Sequence, residues 1–277
     1  MSKLHFEKLL TMMKPFLKKK RARALNPELR PLITLRYLAT GDLYFTFALA
    51  FRVEESTVRA IVKEVCGILV TVLQPVYLSP PEKEDWRNNV EGVWARWNMP
   101  NCLGSIDGKH IRLSFPSNSD SLFFSYKKYY NIGSFGGNSD GGIFNDSNIG
   151  INLNNIGLNI PKGDFNLPNS ELKTSLLFIS DDAFKLSKRM LKPYSGENLE
   201  NSKKILNYRI SRARRTVEST FGILASKWRI LHTALCVLPA TANVIVYASV
   251  CVHNFILKQE QRYGHKDFSN GYNSNIA

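Results

Sequence analysis

Leu176-Leu177-Phe178-Ile179-Ser180-Asp181-Asp182 is the stretch whose reading decides the fold. Four apolar residues in a row, ending in two carboxylates, suit a central strand buried on both faces that delivers an acid at its carboxyl end. Upstream, Leu103-Gly104-Ser105-Ile106-Asp107-Gly108-Lys109-His110-Ile111-Arg112-Leu113 carries alternating apolar residues and reads as a strand with Asp107 near its middle or end. Downstream, residues 202–231 read as one long helix, with Ile210, Ala213, Val217, Phe221 and Leu224 on its buried stripe. Glu218 sits beside that stripe, one turn after Arg214 and Arg215. Acids on two strands and on a following helix can converge on one point.

Such a trio has a recognisable chemistry. Two divalent ions bridged by carboxylates activate a water and stabilise the leaving oxygen of a phosphodiester. Hard oxygen ligands select Mg²⁺ or Mn²⁺, and no Cys/His cluster competes with them. Each acid also has a plainer reading. Asp107 before Gly108 is a turn residue, Asp181-Asp182 caps a helix, and Glu218 pairs with Arg214. Spacing alone leaves both sets of readings open.

The rest of the chain supplies context. The first thirty or so residues form a basic arm with the run Lys18, Lys19, Lys20, Arg21 and Arg23, either a nuclear address or phosphate-binding segment, or a solvated helix end. From Pro31 the pattern turns helical: a short helix broken at Gly41-Asp42, a second over residues 43–51, and a third after the turn at Arg52. The third buries Val58, Ile61, Val62, Val65, Leu69 and Val72 and leaves Arg59 and Lys63 on the opposite face. Three helices with a tight turn before the last is the pattern of helix-turn-helix DNA binders, and of three-helix packings that touch no DNA. If DNA is bound here, Arg52, Arg59 and Lys63 are the candidate ligands. A Trp-rich linking helix follows (Trp86, Val90, Val93, Trp94, Trp97). The glycine-rich segment 133–142 lacks a P-loop ending and reads as a plain loop. Residues 145–172 read as Asn-rich and irregular with a short helix, Pro239 opens a last helix, and the tail after Arg262 reads as loose. The expected division is a basic arm 1–30, a helix-turn-helix-like module 31–75, a linking helix 76–100, a nuclease domain 101–259 and a tail 260–277.

The bulk numbers agree with a globular nucleic-acid protein. Of the 277 residues 44% are hydrophobic and 22% charged, which excludes a disordered chain. The net charge of +14 points to a polyanionic partner. The four cysteines are scattered without a CxxC pair, so neither a zinc knuckle nor a disulfide scaffold is indicated, as suits cytoplasm or nucleus. The apolar stretch 244–257 falls short of the roughly 20 residues of a membrane span, so no membrane partner is expected.

Several motifs together carry a resemblance: Asn101-Cys-Leu-Gly-Ser-Ile-Asp-Gly-Lys-His110, then Ser139-Asp-Gly-Gly-Ile-Phe144, Ser180-Asp-Asp-Ala-Phe184, Asn207-Tyr-Arg-Ile-Ser-Arg-Ala-Arg-Arg-Thr-Val-Glu218, Phe221-Gly-Ile-Leu224, Lys227-Trp-Arg229 and Val252-His-Asn-Phe255. In this order they resemble the Harbinger (PIF)-type DDE transposases and the animal nucleases domesticated from them, over about residues 31–257. The resemblance implies an α/β fold with an RNase H-like DDE nuclease core behind an all-α helix-turn-helix-like module. It implies that Asp107, Asp181 and Glu218 are catalytic and bind Mg²⁺ or Mn²⁺, with Asp182 the alternate second ligand. Lys109, Arg212 and Arg215 become candidate DNA ligands, His110 a phosphate contact, and His253 a satisfied core histidine. It further implies a nuclear protein acting on DNA, a Myb-like DNA-binding partner, and homo-oligomeric assembly on DNA.

One departure stands out. The family has a strand, turn and strand between the Tyr-rich segment and the glycine-rich loop, whereas here Asn131-Ile132 runs straight into Gly133. Without that hairpin the first strand should be an exposed edge with uncovered apolar surface. The alternative function is therefore a non-catalytic DNA-binding relic of a transposase.

Overall fold

The computed structural model describes residues 1–17, 25–114, 130–132, 140–154 and 158–262. In chain order these form α1 (Lys3–Met13), α2 (Leu29–Thr40), α3 (Tyr44–Phe51), α4 (Glu55–Tyr77), α5 (Lys83–Trp97), β1 (Cys102–Ser105), β2 (Ile111–Leu113) and β3 (Tyr130–Ile132). Then follow α6 (Asp140–Asp146), α7 (Asn148–Asn154), β4 (Asp164–Asn166), β5 (Lys173–Ser175), β6 (Leu177–Ile179), β7 (Met190–Leu191), α8 (Asn201–Lys227), a 3-10 turn (Arg229–Leu231) and α9 (Pro239–Arg262). The chain divides into two compact units, Met1–Ser79 with Lys227–Thr233 and Val237–Ala277, and Pro80–Ser226 with Ala234–Cys236. The basic run of residues 18–23, most of the glycine-rich segment and the tail after Arg262 lie outside the described residues.

The first unit is helical. Val58, Ile61, Val62, Val65, Cys66, Leu69 and Leu73 recur at three- and four-residue spacing along α4 and are all buried. They pack mainly on α9, whose Ala242, Ile245, Ala248, Val252, Phe255 and Ile256 are fully buried. Each large side chain so covered is worth about 1.5–3 kcal/mol. The helix Pro239–Gln261 is longer than the apolar stretch 244–257 and by length and composition alone could cross a membrane, yet half of its most apolar window is buried within the unit, as a core helix would be. Polar bonds fix the pairing: the Asn254 amide donates to the Tyr77 carbonyl at 2.9 Å, and the Gln259 amide to the Tyr77 hydroxyl at 3.2 Å. His253 is buried, and burial pushes its pKa below the usual histidine range. Its Nδ1 lacks a hydrogen-bond partner among the described residues, so the histidine is in the core but not fully satisfied. Gly41 ends α2 in the left-handed region (φ 72°), and a Cβ there would stand 3.0 Å from the Arg229 carbonyl oxygen. Only glycine meets both demands. Within the segment read as a basic arm, residues 3–13 form α1, which buries His5, Leu9 and Met13.

The second unit is a small parallel sheet between helices. Its order is β1-β6-β7, with both pairs parallel. Successive side chains of a strand point to opposite faces. Leu103, Phe178 and Met190 therefore meet Trp86 of α5 and Leu153 of α7 on one face. Cys102 and Ile179 meet Ile210 and Ala213 of α8 on the other. β6 is central, as its unbroken apolar run suggested.

Three local expectations change. The strand expected over residues 103–113 is two short strands, because regular pairing ends where Ile106 N–H donates to Ile179 O at 2.8 Å. The Asp107 carboxylate then accepts the Gly108 N–H at 2.9 Å and turns the chain. Among the described residues β1 is a sheet edge, yet Cys102 and Leu103 are 0% and 2% exposed, so α5 and α8 cover the apolar surface expected to lie open. Residues 145–172 hold the end of α6, all of α7, and β4, which pairs antiparallel with β5 just beyond them. The Asn101 amide ties that hairpin to the start of β1, donating to Phe165 O at 2.9 Å and Thr174 Oγ1 at 2.8 Å.

Candidate active site

Parallel neighbours end on the same side of a sheet. β1 pairs Ser105 with Ile179 of β6, so Asp107 and Asp181 each follow by two residues the last paired residue of adjacent strands. Each aspartate commits one oxygen to its own turn. Asp107 Oδ1 accepts from Gly108 N–H, and Asp181 Oδ1 accepts from Ala183 N–H at 3.0 Å. These short bonds hold the carboxylates at the strand ends.

The third acid arrives on α8, whose placement is fixed by a residue the sequence reading missed. Ser105 Oγ donates to the Ala213 carbonyl at 3.1 Å, pinning α8 to β1 two residues before Asp107. The following turn of α8 then lies over the strand ends. Arg214 Nη2 stands 3.8 Å from Asp181 Oδ2 and 3.5 Å from Glu218 Oε1. The plainer reading of Glu218 as an Arg214 partner thus holds, and the same guanidinium also reaches Asp181. The Asp107 carboxyl is held above the usual aspartate range, chiefly by burial. The negative charges of Asp181 and Glu218 add to that rise, while the Gly108 N–H and the Arg214 charge oppose it. The three acids and Arg214 therefore share one electrostatic environment.

Asp182 faces elsewhere. Its Oδ1 accepts from Lys192 Nζ at 2.9 Å and its side chain is 70% exposed, against 30% for Asp181. Of the two adjacent aspartates, Asp181 is the one turned toward Glu218.

The donor set is three carboxylates, which in hardness and charge fits Mg²⁺ or Mn²⁺. Burial pushes the Cys66 thiol up to about 12 and Cys102 to about 11, so neither offers a thiolate near neutral pH. As the side chains stand, no three His, Cys, Asp or Glu residues among the described residues lie close enough to hold one ion. The Arg214 guanidinium faces both Asp181 and Glu218. The chemistry fits a divalent ion, and the arrangement is that of a site holding a protein cation instead.

A groove of about 510 Å³ runs between α5 and α8, along β1. Asn88, Asn89, Arg96, Trp97, Thr216 and Thr220 line it. Arg212 stacks over the Trp97 and Tyr208 rings at 5.5 and 5.7 Å. Lys109 and Arg215 are exposed. The remaining candidate DNA ligands belong to the first unit. Arg52 caps α3 in the left-handed region, Lys63 is exposed, and Arg59 pairs with Glu55 and lies 4.6 Å over the Tyr44 ring. Arg59 is thus already engaged within its own unit.

Residues 129–254 match the family model of the DDE superfamily endonucleases. The matched span contains Asp181 and Glu218 and begins after Asp107. No curated protein and no solved structure matches the chain. The match supports a nuclease of transposase ancestry, a class that cuts phosphodiester bonds of nucleic acid and generally uses divalent metal ions.

Proposed function

We propose that this chain is a Mg²⁺- or Mn²⁺-dependent DNA nuclease of Harbinger-type transposase origin, with an RNase H-like core and Asp107, Asp181 and Glu218 as its catalytic carboxylates. The observation that supports the reading is the parallel β1–β6 pair, which ends two residues before Asp107 and Asp181, with α8 pinned to β1 by Ser105 and its Arg214 facing both Asp181 and Glu218. When bound, the metal would supply an activated water and charge stabilisation at the leaving oxygen. Asp107, Asp181 and Glu218 would hold it.

The protein's own residues do the rest. The groove between α5 and α8 takes a DNA strand, with Arg96 in its lining and Arg212 stacked on the lining Trp97 offering positive charge, and the Asn and Thr side chains offering hydrogen bonds. Lys109 and Arg215, both exposed, add phosphate contacts. Arg52, Arg59 and Lys63 of the helix-turn-helix-like module would bind DNA away from the cutting centre, in the nucleus, with a Myb-like partner and further copies of the chain assembling on it.

Cleavage of a labelled duplex in Mn²⁺ tests the reading. Asp107→Asn should reduce cleavage to the metal-free background and leave DNA binding in EDTA near that of the wild type. Equal cleavage by both proteins would sink the assignment. Salt-sensitive binding by the wild type with no cleavage at all would mark a binding relic.

A further inference from the structure

We propose that Arg214 is the resident counter-ion of the carboxylate cluster and that a divalent ion binds by exchanging with it. This rests on the reading of the three acids as metal ligands.

Arg214 is the point where the acids meet. Its Nη2 faces Asp181 Oδ2 and Glu218 Oε1 together, and its charge acts on Asp107 as well. The Arg214 side chain is only 18% exposed and Asp181 30%, so that pair is screened less than one on an open surface, whereas Glu218 at 54% is reached from solvent. One guanidinium against three carboxylates leaves the cluster short of positive charge, which keeps it attractive to a divalent ion.

The exchange follows from competition for the same oxygens. Oxygen ligands close to about 2.0–2.1 Å around Mg²⁺, whereas Asp181 Oδ2 and Glu218 Oε1 now face one guanidinium nitrogen at 3.8 and 3.5 Å. An ion held by these two oxygens competes with the guanidinium charge for them. Arg214 is also loosely seated in its pocket. Its Nε is buried with no hydrogen-bond partner among the described residues. A guanidinium held by two long ion pairs, with its Nε unsatisfied, resists displacement less than a bidentate hydrogen-bonded pair would. Arg214 thereby sets the cation affinity of the site. It weakens single-ion binding, and it stops the acids from repelling one another apart while no metal is present.

Mn²⁺ binding followed by electron paramagnetic resonance, without DNA, tests the exchange. Arg214→Gln keeps a hydrogen-bonding side chain and removes the charge, and it should bind Mn²⁺ about tenfold tighter than the wild type. Arg214→Lys keeps the charge and should stay within about threefold of the wild type. Unchanged or weaker affinity in the Gln variant overturns the proposal, as does a Lys variant that binds as tightly as the Gln variant. The wild type gives an independent measurement that needs no variant fold. On Mg²⁺ titration the Arg214 Nε–H resonance should shift and saturate with the ion, and a resonance that stays put while Mg²⁺ binds overturns the exchange. Binding that Asp107→Asn abolishes but Arg214→Gln leaves unchanged defeats only the Arg214 proposal. No saturable binding in any of the proteins defeats the carboxylate reading along with it.

Discussion

Phe178→Ala is the most direct test of the second unit's architecture. Phe178 sits at the middle of β6, is 7% exposed, and meets the Trp86 ring edge to face at 5.6 Å. Truncating a buried phenylalanine costs about 3–5 kcal/mol, transfer and cavity together. The lost edge-to-face contact, worth about 0.5–1.5 kcal/mol, places this site in the upper half of that range. About 4 kcal/mol is a large share of the roughly 5–15 kcal/mol that holds a domain together. In thermal terms it corresponds to a fall of roughly 8–16 °C for a unit of this size. Trp86, Trp94 and Trp97 belong to this unit and only Trp228 to the other, so urea unfolding followed by tryptophan fluorescence reports mainly on the sheet. Leu172→Ala is the control. Leu172 is 69% exposed, and its truncation should stay within about 0.5 kcal/mol of the wild type. A loss below about 1.5 kcal/mol for Phe178→Ala, or equal losses for the two variants, would refute the packing described for β6.

Two further outcomes follow from the site and its support. The raised Asp107 pKa means the folded chain holds that proton more tightly than the unfolded one, so at neutral pH the charged carboxylate costs stability. Asp107→Asn should therefore raise the metal-free urea midpoint near neutral pH. The gain should shrink as pH falls through the raised value toward the ordinary aspartate range near about 3.9; a variant less stable than wild type at neutral pH would contradict the electrostatics. Asn101 is buried, sits at φ 52° and spans the hairpin with its amide, so Asn101→Ala should cost about 2–4 kcal/mol from lost bonds plus backbone strain. Asn101→Gly should recover the strain part alone, and equal losses for Ala and Gly would show that the left-handed backbone contributes nothing.

The elements whose signal is local were legible in the sequence. α4 could be read because its buried residues repeat at helical spacing, and β6 because four apolar residues end in an acid. Asp181 and Glu218 fall inside the DDE endonuclease match, while the roles given to all three acids remain a proposal. What sequence left open depended on contacts between distant segments. Nothing around Pro239 announces that α9 covers α4, since an apolar helix stripe does not name its partner. α1 was hidden because its few buried residues sit among lysines. Ser105 looked like any strand serine, and only the fold reveals the Ala213 carbonyl opposite it. Arg214 was visible as a neighbour of Glu218 one turn away, but its approach to Asp181 needed the β6 end to be placed.

The parallel pairing of Cys102 with Leu177 also has a consequence for biosynthesis. A parallel strand cannot be reached through a tight turn, so β1 must wait for a partner made much later in the chain. Such distant pairings form slowly. While the ribosome is still adding residues, Asp107 is a solitary carboxylate on an unpaired strand, and Glu218 has yet to emerge. Asp107 meets the charges of Asp181, Arg214 and Glu218 only when translation of the second unit is nearly over, so an interrupted message yields a chain that carries the first aspartate without the groups that surround it.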